Sequence, residues 1–247
     1  MRATFGFLLF HEVEELDFVG PWEVISVWRK NFEGPDKMVT ISQDGGIVTC
    51  AKGLQIISSH SFSDYPRLDY LVVPGGWGTR AEVHNEKLIS FIKEATKNCK
   101  GVLSVCTGAF LLQAAGLLNG KKATTHWRSL DRLRAFDKTT VVEERIVRDG
   151  NIWSCAGISS GIDLALAFLS EVAGEEVAGQ VQFQMEYYPL KRYGNLHNSK
   201  DAPKYLKSDQ EQGRGNVCSF FPRKNEESHV EDSKPEKEPL ATATPHK

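Results

Sequence analysis

Cys106 stands where an apolar run, Gly101-Val102-Leu103-Ser104-Val105, gives way within one residue to a helix-like stretch, Thr107 to Ala115. A thiol at the carboxyl end of a buried strand in an open α/β sheet faces the crevice in which such sheets bind ligands. The nucleophile of a strand–turn–helix elbow is presented in the same way. The unpaired N–H groups of the helix start would favour thiolate over thiol and would steady an anionic intermediate. A free cysteine also serves commonly as a small buried hydrophobe; the corner position is what argues for chemistry here.

Two further segments supply partners. Gly75-Gly76-Trp77-Gly78-Thr79 comes after a second apolar strand, and its glycines allow close backbone approach and offer N–H groups. It is not a phosphate loop, since neither GxxxxGK[ST] nor GxGxxG occurs. The acidic loop His11-Glu12-Val13-Glu14-Glu15-Leu16-Asp17 comes after the first strand and would lower one carboxyl group onto the thiol. Asp17 would equally serve as the N-cap of the helix behind it, and Glu14 and Glu15 are the alternative carboxylates if the loop register differs.

Strands must bring these three corners to one edge. Thr4–Phe10 and Asp69–Pro74 are continuous apolar runs of strand length, as expected for strands buried on both faces. Residues 17–30 read as a helix with Gly20-Pro21 near its first turn, and 85–98 as an amphipathic helix with Leu88, Phe91, Ile92 and Ala95 on one face. Lys37–Ser42 and the flanks of Gly45-Gly46 and Lys52-Gly53 suggest short strands. Trp127–Phe136 suggests a short helix, Val141–Arg148 and Asn151–Cys155 a hairpin across Asp149-Gly150, and 159–173 and 175–187 two final helices. Strands alternating with helices predict an α/β fold, a mainly parallel sheet with helices on both faces. No internal repeat is present.

The chain changes character near residue 198. Beyond that point it is polar, mixed in charge and proline-bearing, with Val217–Phe221 as an apolar island. Such a stretch buries too little apolar surface to offset its ordering entropy. The expectation is one domain over 1–198 and a polar, disordered tail over 199–247.

With 30 Lys and Arg against 32 Asp and Glu, the net charge of −2 suggests neither a nucleic-acid partner nor a polybasic membrane anchor. No apolar run approaches the roughly 20 residues of a membrane span, and the N-terminal stretch lacks the shape of a secretory signal. Five scattered cysteines without a CxxC pair argue against a zinc ribbon and fit a reducing, cytoplasmic compartment. The seven histidines show no local metal-ligand spacing.

Four blocks in one order, LDFVGPWEV (16–24), DYLVVPGGWGT (69–79), SVCTGAFLLQAAGLLNGKKATTHW (104–127) and AGISSGIDLALAFL (156–169), resemble the ThiJ/PfpI superfamily and, within it, its isonitrile hydratase branch. The resemblance implies a flavodoxin-like sandwich, a homodimer, a small-molecule substrate and no metal, nucleotide or redox cofactor. Carried over residue by residue, Cys106 matches the nucleophile, Asp17 its acidic partner and Thr107 the residue after the nucleophile. Gly76, with Gly75 beside it, falls in the backbone anion-binding turn. His126 lies in ATTHW, where a hydrogen-bonded structural role is the expectation. Trp22, Trp77 and Ile158 are the candidates for pocket lining.

The implied reaction has Cys106 attack the terminal isonitrile carbon while Asp17 protonates the substrate. Water then opens the thioimidate, with Asp17 as base, to an N-substituted formamide. A carboxyl buried beside a thiolate should have a raised pKa. Two other classes compete. One is a superfamily hydrolase or lyase, glyoxalase- or deglycase-like, which would need a glutamate in the first loop. The other is a non-catalytic domain in which Cys106 senses oxidants or binds a ligand.

Overall fold

The first strand, β1 (Thr4–Leu8), carries Phe5, Phe7 and Leu8 with no solvent exposure, which is why the run is continuously apolar. It leads into α1 (Glu15–Asn31), which starts two residues earlier than its periodicity predicts. Pro21 therefore falls inside the helix rather than in its first turn, and, lacking an N–H, it cannot donate to the carbonyl of Asp17. Next come β2 (Lys37–Ser42), a hairpin of β3 (Gly46–Thr49) and β4 (Gln55–Ser58), the two-residue β5 (His60–Ser61) and β6 (Tyr70–Val73). The short α2 (Thr79–Glu82) and α3 (Glu86–Thr96) precede β7 (Gly101–Val105) and α4 (Gly108–Ala114). Asn85 caps α3 by accepting from the amides of Lys87 and Leu88.

The remaining elements are β8 (Lys121–Ala123), a 3₁₀ turn (Trp127–Ser129) running into α5 (Leu130–Arg134), β9 (Thr139–Val141), β10 (Ile146–Asp149) and β11 (Ile152–Cys155). Helices α6 (Ser160–Ala173) and α7 (Glu175–Gln184) come next, then α8 (Lys204–Lys207). The computed structural model describes residues 2–188 and 199–207.

The central sheet has seven strands in the order β10-β11-β7-β6-β1-β2-β5. Every pairing in it is parallel except that of β10 with β11. Helices α1, α6 and α7 pack together as one layer, and α3 and α4 as another against β6 and β7. The aromatic core lies under the first layer, where Phe5 stacks on Tyr70 at 4.5 Å and meets Phe168 of α6 edge-on at 5.9 Å. The fold is thus the expected flavodoxin-like α/β sandwich. β1 is flanked by β2, next in sequence, and by β6, which comes after a crossover. This reversal is a topological switch point, and the loops after β1 and β6 meet there.

Two local readings change. The predicted hairpin pairs Ile146–Asp149 with Ile152–Cys155, whereas Val141 belongs to β9 and pairs with Ala123 of β8. Glu143-Glu144 breaks the alternation between them. The predicted polar tail also begins differently: residues 199–207 carry α8, Pro203 is buried, and the amide of Lys204 donates to Oε1 of Glu143 at 2.9 Å. Val217–Phe221 lies outside the described residues. No described helix is long and apolar enough to cross a membrane.

Candidate active site

Strand β7 ends at Val105, and Cys106 turns the chain into α4 with φ of 56°, the left-handed region that L-residues other than glycine, asparagine and aspartate rarely occupy. The surroundings hold that strained turn in place. The Cys106 amide donates to the carbonyls of Ala156 at 2.9 Å and Cys155 at 3.3 Å, and its carbonyl accepts from Thr125 Oγ1 at 2.7 Å. Gly108 opens α4 because a Cβ there would sit 2.2 Å from the carbonyl oxygen of Val73. The thiol is almost wholly buried.

Asp17 is not the N-cap of α1. That position is Glu14, and its side chain makes no capping bond. Asp17 occupies the first turn with no solvent exposure, and its Oδ2 accepts the amide of Gly75 at 2.9 Å. Its Oδ1 is buried with no hydrogen-bond partner among the described residues, and the turn from Cys106 into Thr107 lies close by across Gly75. Burial holds the Asp17 carboxyl well above the usual carboxylate range, against the opposing pull of the Gly75 N–H. Burial and then the Asp17 charge push the Cys106 thiol up as well; the Thr107 N–H opposes them weakly. The sequence expectation of a thiol acidified by the helix start is therefore corrected. Desolvation beside a carboxyl outweighs one amide at the head of a seven-residue helix. The result is a coupled acid pair in which each negative charge disfavours the other.

Both N–H groups of the glycine turn are engaged within the protein. Gly75 holds Asp17, and Gly76 donates to Thr107 Oγ1 at 3.0 Å. The turn expected to bind an anion thus positions the carboxyl and the threonine instead. Thr79 donates to the Gly76 carbonyl at 2.8 Å and lies 3.2 Å from Thr107 Oγ1. Gly75 is where the three corners converge: a Cβ there would lie 2.5 Å from both the amide and Oγ1 of Thr107 and 3.0 Å from Asp17 Oδ2.

The other candidates sit further out. Glu14 pairs closely with Lys52 Nζ, and Glu15 accepts the Lys52 amide at 2.6 Å; both carboxylates are thus tied to the β3–β4 hairpin. Trp77 is exposed, with the Arg80 guanidinium 3.9 Å from its ring centre. Trp22 is half-buried and meets Phe7 edge-on at 4.9 Å, in the core beneath the sheet. Ile158 is half-buried in the Ala156–Ser159 loop that also receives the Cys106 amide. The His126 ring accepts the Arg128 amide through Nδ1 at 3.2 Å and packs against Gly157, where a Cβ would lie 2.0 Å from the ring. Burial and Arg128 hold its pKa down.

Thr79, Thr125 and Lys52 support the site, and sequence reasoning does not single them out. The two threonines lie inside the family blocks, but Lys52 carries no local signal. Among the described residues no group of three or more His, Cys, Asp or Glu is placed to hold a metal ion.

Known proteins share this arrangement of chain. The chain is 41% identical to the isonitrile hydratase of Pseudomonas putida over 190 residues, covering 76% of this chain and 80% of that protein. It is 28% identical over 185 residues to the HTH-type transcriptional regulator CdhR of Pseudomonas aeruginosa, of which it spans 55%. Among solved structures, a ThiJ/PfpI family protein from Pseudomonas syringae superposes with a TM-score of 0.73 at 29% identity, covering 86% of each chain. The profile of the DJ-1/PfpI family matches residues 3–171, a stretch that holds all three corners of the site, and the chain belongs to that family.

Proposed function

We propose that this protein hydrates isonitriles to N-substituted formamides, with Cys106 as nucleophile and Asp17 as the group that moves protons. The observation that carries the reading is the fully buried Asp17 carboxyl, held by the Gly75 amide at the corner where Cys106 and Thr107 turn the chain. Similarity to the Pseudomonas putida isonitrile hydratase supports the same class of enzyme.

In the reactive form the pair holds one proton, and the reaction uses it twice. The proton passes from Asp17 to the terminal carbon of the isonitrile as the Cys106 sulfur bonds to that carbon, leaving a thioimidate and an Asp17 carboxylate. Asp17 takes a proton from water as the hydroxyl adds, and returns it to nitrogen. When the C–S bond breaks, the hydroxyl proton goes to Asp17, the thiolate leaves and the formamide is released, restoring the pair. A low-dielectric pocket suits this sequence because neither charge is stable there alone. Thr107, fixed by Gly76 and Thr79, orients the water or the intermediate, and Trp77 and Ile158 border the substrate. The enzyme works as a cytoplasmic homodimer, as the family resemblance and its free thiols suggest.

Incubating the purified chain with cyclohexyl isonitrile and following formamide by NMR tests this directly. No formamide from aliphatic or aromatic isonitriles would end the reading. An aldehyde-processing enzyme is less well supported, since Glu14 and Glu15 are engaged with Lys52. Similarity to the regulator favours a second reading, a ligand-responsive domain, which predicts binding at Cys106 without turnover.

A further inference from the structure

Past the carboxyl ends of β1 and β2, on the side of the sheet edge where open α/β sheets take ligands, lies a cavity of about 200 Å³. Neither Cys106 nor Asp17, Gly75 or Thr107 lines it. Its floor is apolar, with Leu9, Phe10, Val48 and Leu88 all buried. Its polar wall begins at Ser42, the last residue of β2, and continues through a chain of side chains to the cap of α3. Asn85 Nδ2 donates to Gln43 Oε1 at 3.0 Å and to Glu82 Oε2 at 2.7 Å, and Gln43 Nε2 donates to Asp44 Oδ2 at 3.2 Å. Ser42 is only 4% exposed, and its Oγ has no hydrogen-bond partner among the described residues. Buried hydroxyls are ordinarily paired, so a ligand that brings this one a partner gains from doing so.

We propose that this cavity is a second ligand site, built for a small primary ammonium ion with a short branched apolar chain. The charges decide the head group. Asp44 and Glu82 each keep one carboxylate oxygen that accepts no bond and pairs with no cation among the described residues, and neither lysine nor arginine lines the cavity. His11 spends Nδ1 on the Thr49 amide at 3.3 Å, which leaves its other nitrogen as one N–H donor. Three side-chain acceptors, Ser42 Oγ and the two spare carboxylate oxygens, therefore stand against a single side-chain donor. A primary ammonium brings three donors and no acceptor, and its bonds to carboxylates are the stronger, charge-assisted kind. An anion would meet two like charges, and a quaternary ammonium would leave Ser42 unpaired. The volume sets the tail. It falls below the roughly 300–1,000 Å³ of sites for drug-sized ligands, and a floor of leucine, phenylalanine and valine suits a short branched hydrocarbon. The site does not depend on the chemistry at Cys106.

Amide NMR shifts of the full chain, titrated with isopentylammonium at pH 7, test the site. Isopentyl alcohol serves as the neutral match and the N-trimethyl derivative as the cation without N–H groups. Saturable shifts centred on Ser42–Val48 and Glu82–Leu88 are expected with the primary ammonium, and far weaker binding with the other two. Ser42→Ala and Glu82→Gln should each weaken binding about tenfold, the scale of a hydrogen bond to a charged group. Both variants should fold, because the first removes a hydroxyl that has no partner and the second keeps an oxygen for Asn85. Their unliganded melting temperatures check this. No saturable shift at these amides, as when the cavity takes water alone, would overturn the proposal. So would a response to the alcohol equal to that of the ammonium, a response centred on Gly75–Thr79 and Cys106 instead, or affinities unchanged in both variants.

Discussion

The Gly75 amide and the Asp17 carboxylate oxygen meet at 2.9 Å across 58 residues of sequence, locking the loop after β6 onto the first turn of α1. This bond sets where the carboxyl stands relative to the thiol, and it exists because position 75 has no side chain. Gly75→Ala would drive a methyl group to 2.5 Å from the Thr107 amide and hydroxyl, and something must move. We expect formamide production to fall by about 10²-fold or more, with a stability loss of about 1–3 kcal/mol from overpacking. Rate and denaturant midpoint measured together check this. A full rate would mean that the carboxyl needs no such placement.

Cys106→Ala and Cys106→Ser should abolish turnover and keep the fold, whereas alanine at Cys50, Cys99 or Cys155 should leave most of the activity. The backbone adds a second expectation. At φ of 56° an alanine is as strained as the native residue, and a glycine is not. Cys106→Gly should therefore be more stable than Cys106→Ala by about 0.5–1 kcal/mol, despite the usual entropic penalty of glycine. Chemical denaturation of the two inactive variants measures the difference, and a less stable glycine variant would remove strain as a feature of this corner.

The three corners are legible in sequence because each is written locally. A buried strand leading at once into a helix, a glycine turn or an acidic loop is a pattern of neighbours, and the alternation of strands and helices places such corners at one edge of a parallel sheet. Sequence does not show what each donor binds. The Gly75 and Gly76 amides, expected to meet a ligand, instead meet Asp17 and Thr107, which depends on sub-ångström loop approach. The thiol, expected to be acidified by its helix, is governed by burial, because desolvation is a property of the assembled core. Lys52, which neutralises Glu14, lies in a turn with nothing to distinguish it from any surface lysine. Pro203, buried in the fold, falls in a stretch whose mean composition hides a residue able to pack.

Asp17→Asn tests the proton-moving role. Asparagine retains an oxygen for the Gly75 amide and the shape of the side chain, and it cannot give up and regain a proton. We expect a loss of about 10²-fold or more in turnover, the usual scale for general acid–base catalysis. Asp17→Glu should fall between the two, since an added methylene shifts the carboxyl from its place. Because Asp17 is not the helix cap, an effect on rate cannot be attributed to a lost cap. Full turnover in Asp17→Asn would move the role to another group.

The same variant also has a stability signature whose sign is set by the raised pKa. In the unfolded chain Asp17 loses its proton near pH 3.9, whereas in the folded protein burial keeps the proton on to well above that. The folded state thus binds a proton that the unfolded state has released. The stability that Asp17 contributes is complete below about pH 3.9 and is lost progressively as pH rises through the folded-state pKa. Asparagine has no such dependence. Melting temperatures of the parent and Asp17→Asn should therefore diverge as pH is raised from about 4, the variant gaining relative to the parent and the gap levelling off once the folded carboxyl ionises. Measurements are best kept below about pH 8, because the Cys106 thiol, whose own shift depends on Asp17, enters near the ordinary thiol range of about 8.5. A gap that stays flat over this window would mean that the carboxyl ionises as easily in the core as in water, and it could not then hold the proton that the reaction requires.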